Sequence, residues 1–184
     1  MKKQFFKPLM LSATLGLLFT VQSCKKDPPA DNEEELITTV HIIATDTTSG
    51  SQQVFTFRDI DGEGGNPPTQ FDSITLAPSR VYNVSMLLLD ESKNPTDTIS
   101  KEILAEADDH LFVFTPNPSS LVNIAITDKD SRNLPLGLTS RWTTNTTGRG
   151  TTGVVLRHQV GVKNGTAAPG ESDIELDFIT KVSN

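Results

Sequence analysis

Apolar and polar residues alternate along most of the chain after Leu36. In Asp173-Ile174-Glu175-Leu176-Asp177-Phe178, Ile174, Leu176 and Phe178 face one way and three acids the other, which predicts a strand with one buried and one wet face. Val122, Ile124 and Ile126 alternate with Asn123, Ala125 and Thr127. Val154, Leu156, His158 and Val160 are set against Arg157 and Gln159, so His158 is expected to be half-buried and hydrogen-bonded to backbone. Further strands are expected over residues 36–45, 52–58, 71–77, 80–89, 111–115 and 138–144, rich in the Thr, Val and Ile that suit a pleated surface.

Turn-forming clusters separate these segments: Asp61-Gly62-Glu63-Gly64-Gly65-Asn66-Pro67-Pro68, Ala77-Pro78-Ser79, residues 128–133 and Lys163-Asn164-Gly165. Strands about a dozen residues apart with such punctuation predict an all-β fold, an antiparallel β-sandwich of immunoglobulin-like architecture over residues 36–184. One stretch has another period. Ile99, Ile103 and Ala107 recur at helical spacing, Asp97 or Thr98 can cap the start, and Glu102 lies in the first turn, so a short helix is expected over 98–109. The Thr-rich stretch 143–152, with Gly148-Arg149-Gly150, reads as a flexible loop.

The N-terminal segment has no alternation. Lys2, Lys3 and Lys7 precede an uncharged apolar run from Leu9 to Val21, shorter than the roughly 18–20 residues that cross a bilayer, so residues 1–23 are expected to be a secretory signal. The run ends in Val21-Gln22-Ser23-Cys24. A small residue directly before a lone cysteine resembles the lipobox of bacterial lipoproteins. That resemblance implies cleavage before Cys24, lipidation of its thiol and attachment to a membrane. Residues 24–35 follow as a polar, acidic segment with two prolines, expected to be a flexible tether.

Charge sharpens this picture. The 184-residue chain carries 16 basic and 23 acidic residues, net −7. Residues 1–23 hold three lysines and no acid, so the mature chain would have 13 basic and 23 acidic residues, net −10. An acidic balance argues against a nucleic-acid partner, because neutralising phosphates takes Lys and Arg. With one cysteine, neither a disulfide framework nor a cysteine-based zinc site can be built.

Two groups of residues could carry chemistry. Asp59, Asp61 and Glu63 stand at alternate positions around Gly62 and Gly64 and could wrap a hard cation, but the twelfth position of an EF-hand loop falls on Gln70 rather than glutamate. The second group is His110 and His158 with Asp108 or Asp109, a two-imidazole-plus-carboxylate set that suits a transition metal or haem. No histidine pair has helical ligand spacing, so such a site would have to be assembled by tertiary folding. His41 is the third histidine. No GxSxG elbow, SxxK motif or phosphate-cradling glycine loop is present, so an enzyme is not expected. Trp142, the only tryptophan, reads as a core or edge residue rather than a sugar platform.

Four stretches, 57–65, 102–114, Leu156-Arg157-His158-Gln159 and 170–176, together resemble a family of short Gram-negative lipoproteins often labelled "type 1 periplasmic binding fold superfamily protein". The resemblance spans nearly all the mature chain and implies location rather than activity. The two α/β lobes that the label describes would need about twice this length, and the residues predict strands instead. The expectation is a lipid-anchored module of the cell envelope, at the outer membrane on its periplasmic or surface face. It would bind a small ligand or an envelope protein without catalysis and without a cofactor, as an accessory beside an outer-membrane transporter. The alternative is a metal- or haem-binding lipoprotein using His110 and His158.

Overall fold

The computed structural model describes residues 36–62 and 64–184. The expected signal segment, the tether with Cys24, and Glu63 of the expected cation loop lie outside the described residues. Along the chain come β1 (Thr39–Asp46), β2 (Gln52–Arg58), β3 (Gln70–Phe71), β4 (Ile74–Leu76), β5 (Val81–Leu89), α1 (Ile99–Ala105), β6 (His110–Asn117), β7 (Val122–Ile126), β8 (Thr139–Thr144), β9 (Gly148–His158) and β10 (Glu171–Val182). They form a six-stranded sheet, in the order β3-β2-β1-β5-β8-β7, and a four-stranded sheet, β4-β10-β9-β6. The described residues fold as an all-β sandwich with a single short helix.

Alternation works as the pattern predicts. Val40, Ile42 and Ala44 of β1, with Tyr82, Val84, Met86 and Leu88 of β5, turn inward from the larger sheet. They meet a core to which Phe112, Val154, Leu156, Phe178 and Val182 contribute from the smaller one. Burying each such side chain contributes about 1.5–3 kcal/mol. Aromatic edges bridge the layers: Phe71 of β3 meets Phe178 of β10 at 5.0 Å between ring centroids, and Phe114 of β6 meets Trp142 of β8 at 5.9 Å. Trp142 is fully buried, and its indole N–H donates to Ser140 Oγ at 2.8 Å.

Three local expectations are corrected. Residues 71–77 are two strands rather than one, because Asp72 is clamped to Thr56. Its amide donates to the Thr56 carbonyl and its Oδ2 accepts from the Thr56 amide, both at 2.9 Å. The chain then leaves β2 and β3 and enters the other sheet, where β4 runs parallel to β10. Every other strand pair is antiparallel. A parallel neighbour needs a long crossover, and the chain between Leu76 and Glu171 supplies one.

The stretch expected as a loop over 143–152 is largely strand, since β8 ends at Thr144 and β9 begins at Gly148. Its glycine serves close packing: a Cβ at Gly150 would lie 2.0 Å from the Asn117 carbonyl oxygen. Further along, the hydroxyls of Thr152 and Thr180 bond each other inside the sheet at 2.8 Å.

The helix stops at Ala105, four residues early. The carbonyls beyond it have other partners. Glu106 O accepts from the Asp109 amide and His110 Nδ1, Ala107 O from Lys163 Nζ, Asp108 O from Arg132 and Asp109 O from the Gln159 amide. The Asp109 amide, which a helix running to 109 would bond to Ala105 O, donates instead to Glu106 O at 2.9 Å, and His110 begins β6.

Candidate functional site

β6 and β9 pair antiparallel with His110 directly opposite His158, so both imidazoles emerge on one face. They stack with ring centroids 4.6 Å apart and planes within 8°. His110 is completely buried, and the His158 side chain is 10% exposed.

The third member comes from β10 through an irregularity. The register with β9 steps from Ser172 opposite Arg157 to Ile174 opposite Leu156, leaving Asp173 as an extra residue. A bulge of this kind re-aims side chains. Asp173, expected on the wet face with Glu175 and Asp177, has a side chain only 2% exposed. Its Oδ2 lies 3.8 Å from His110 Nε2 and its Oδ1 3.6 Å from His158 Nδ1. Glu175 and Asp177 do remain exposed. Gly170 allows the close approach just before β10: its φ is +81°, and a Cβ there would lie 2.0 Å from the His158 carbonyl oxygen.

Protonation follows from the partners. His110 Nδ1 lies 3.1 Å from the Glu106 carbonyl, which can only accept, so Nδ1 carries the proton. Burial holds the His110 pKa below its ordinary value, and the neighbouring His158 adds to this against the opposing pull of the Glu106 carbonyl. The ring is therefore neutral, with a lone pair on Nε2. Neither His110 Nε2 nor His158 Nδ1 has a hydrogen-bond partner among the described residues, so His158 Nδ1 is not bonded to backbone as expected. A Glu106 carboxylate oxygen and one ring nitrogen from each histidine lie within 4.8 Å of one another.

Folding thus brings His110 and His158 together, and the carboxylates beside them are Glu106 and Asp173. Asp108 and Asp109 have other partners. Asp108 accepts from the Ser131 amide and hydroxyl at 3.0 and 2.6–2.9 Å, and Asp109 Oδ1 from the Gly161 amide at 3.1 Å. Both acids tie neighbouring loops to the helix exit. Glu106 could have been found from its place four residues before His110. Asp173 left no signal, because it fits the alternation of its strand.

A stiff frame surrounds the cluster. Lys163 Nζ lies 2.9 Å from Asp130 Oδ2, and neither side chain is exposed. Burial pushes the Asp130 carboxyl up, but the Lys163 ammonium and the amides of Leu134 and Arg132 outweigh it and hold the carboxyl below its ordinary range. Gln159 is buried too, and its Nε2 donates to the carbonyls of Thr166 and Pro169 at 2.9 and 2.8 Å.

The other sequence candidates lie elsewhere. His41 Nδ1 meets Thr56 Oγ1 at 2.9 Å across β1 and β2. Asp61 Oδ2 accepts from the Asn66 amide and side chain at 2.9 and 2.7 Å, which keeps its carboxyl low, while the Asp59 amide donates to Thr38 O at 2.8 Å. An apolar cavity of about 230 Å³ opens between edge strands β6 and β7, lined by Phe112, Phe114, Ile124, Ile126, Pro135 and Ala167. It is smaller than the roughly 300–1,000 Å³ of most small-molecule sites. Comparison with known proteins finds no match to this chain among family models, curated proteins or solved structures.

Proposed function

We propose that this chain is a cell-envelope lipoprotein, held on the outer membrane through lipid on Cys24, whose folded domain is a non-catalytic binding module. It serves as an accessory beside an outer-membrane transporter, and its ligand site is the imidazole–carboxylate cluster where β6, β9 and β10 meet. One observation carries the assignment of the ligand site: two buried or nearly buried histidines face a buried aspartate, with ring nitrogens that have no hydrogen-bond partner among the described residues. Buried polar groups are nearly always satisfied, so such a gathering favours a ligand. The chemistry favours binding over catalysis, since among the described residues no hydroxyl donates to His110 Nε2 or His158 Nδ1 to make a nucleophile–base pair.

Membrane fractionation with mass spectrometry of the mature N-terminus tests the anchoring. The wild type should begin at a diacylated Cys24 and sediment with the outer membrane, and Cys24→Ser should accumulate uncleaved or soluble. A Cys24→Ser variant that is cleaved and sediments normally overturns the lipoprotein reading. In-cell photo-crosslinking from residues around the cluster tests the accessory role, with adducts to a transporter expected and none overturning it.

A further inference from the structure

We infer that the cluster is a site for a divalent first-row transition-metal ion of the zinc class, with His110 Nε2, His158 Nδ1 and the Asp173 carboxylate as ligands and Glu106 as an exposed fourth. This rests on the reading of the cluster as the module's ligand site and names the ligand. Donor chemistry selects the ion. Two imidazole nitrogens with carboxylates suit Zn²⁺, Cu²⁺ and Ni²⁺, whereas Mg²⁺ and Ca²⁺ prefer oxygen alone.

Three features of the structure converge on it. The His110 tautomer is fixed by its Nδ1–H bond to the Glu106 carbonyl, the outer-shell bond that orients most metal-binding histidines, and the nitrogen left over is the one facing Asp173. The Asp173 carboxylate reaches both rings, its Oδ2 3.8 Å from His110 Nε2 and its Oδ1 3.6 Å from His158 Nδ1, and because the rings stack in near-parallel planes one of them turns for both nitrogens to face a single ion. A Glu106 carboxylate oxygen lies within 4.8 Å of one ring nitrogen of each histidine, and Glu106 is exposed, so it is the member of the group that an ion in solvent meets first.

The placement also suits a site built for precision. His110 and His158 stand on paired strands, Asp173 on a bulge beside them, and Gly170 lets that strand start against the His158 carbonyl. A bulge disturbs the strand ladder, and here it turns an acid from solvent toward two imidazoles.

The test uses the full chain, extracted from membranes in detergent and purified without a histidine tag. It is stripped by chelator and titrated with Zn²⁺ alone by calorimetry, with elemental analysis after dialysis. One zinc per chain is expected. Asp173→Asn, which keeps the shape of the side chain, and His158→Gln should each weaken binding at least about tenfold, with a smaller loss for Glu106→Gln. His41→Gln, far along β1, should bind as the wild type does. Urea midpoints report folding of each variant. Co²⁺ in the wild type should give the visible absorption of a four-coordinate nitrogen–oxygen site, a readout that needs no variant to fold. Wild-type protein that is folded and membrane-anchored yet takes up neither Zn²⁺ nor Co²⁺ overturns the metal inference while leaving the anchored-module reading intact. Zinc binding unchanged by Asp173→Asn also overturns the site, as does haemin binding in place of zinc. Loss of anchoring specificity in the Cys24→Ser experiment bears on the module reading alone.

Discussion

Lys163 Nζ sits 2.9 Å from Asp130 Oδ2 and 2.7 Å from the Ala107 carbonyl oxygen, and neither side chain of the ion pair reaches solvent. This pair joins three segments at one end of the sandwich: the helix exit, the 128–138 loop and the chain after β9. Removing one partner would strand a buried charge. Lys163→Met should therefore lower unfolding free energy by about 3–5 kcal/mol, and Lys163→Met with Asp130→Leu should recover most of that loss. Urea titrations of the two variants and the wild type check it.

The same pair sets an acid limit. The folded Asp130 carboxyl titrates below 3.8, its ordinary value. A depressed acid stabilises the fold fully above its unfolded value, and the contribution is lost as pH falls through the folded one. Stability measured downward from about pH 4.5 should fall more steeply in the wild type than in the double variant, which has no Asp130 to protonate. Equal slopes would assign acid sensitivity to other carboxylates.

Gly170 is expected to tolerate no side chain. Its φ of +81° disfavours any L-residue, and a Cβ would meet the His158 carbonyl oxygen at 2.0 Å. Gly170→Ala should cost at least about 2 kcal/mol and displace the start of β10. Hydrogen exchange at Ser172 and Ile174 should rise in that variant, with little change in β1 and β2.

The three acids of β10 look equivalent in the sequence and should behave differently. Asp173→Asn should shift the ring ¹⁵N resonances of His110 and His158, because its carboxylate lies within 4 Å of both rings. Glu175→Gln and Asp177→Asn, both exposed, should leave those resonances in place and change stability by under about 0.5 kcal/mol.

Phe71 and Phe178 touch edge to face across the two sheets, yet their truncations should differ in cost. Phe178 is fully buried, so Phe178→Ala should destabilise by about 3–5 kcal/mol. Phe71 is 46% exposed, so Phe71→Ala should cost about 1 kcal/mol. Guanidinium midpoints at constant slope would measure both.

The alternation of residues was enough to read the class of fold, because a strand with one buried face must repeat with period two. It placed Val40, Ile42 and Ala44, or Val154 and Leu156, on the core side without reference to any partner. Boundaries were decided by distant atoms. The helix ends at Ala105 because the Asp109 amide turns back to Glu106 O and His110 is taken into the ladder with β9, and no local pattern encodes that pairing. The strand expected over 71–77 breaks because Asp72 is held by Thr56 on another strand.

For the candidate site the division is sharper. Histidine side chains at positions 110 and 158 were visible as metal-binding chemistry, but 47 residues of chain lie between them, and only the pairing of β6 with β9 makes them neighbours. Asp173 was legible as a strand residue and wrongly as a wet one. Period two assigns faces only while register is kept, and one extra residue in β10 turned that carboxylate inward. The sequence by itself determined the types of side chain and the face each ordinarily takes. The tertiary structure decided which of them meet, because convergence depends on strand register across the sheet and on glycines that let backbones approach, neither of which is a local property of the chain.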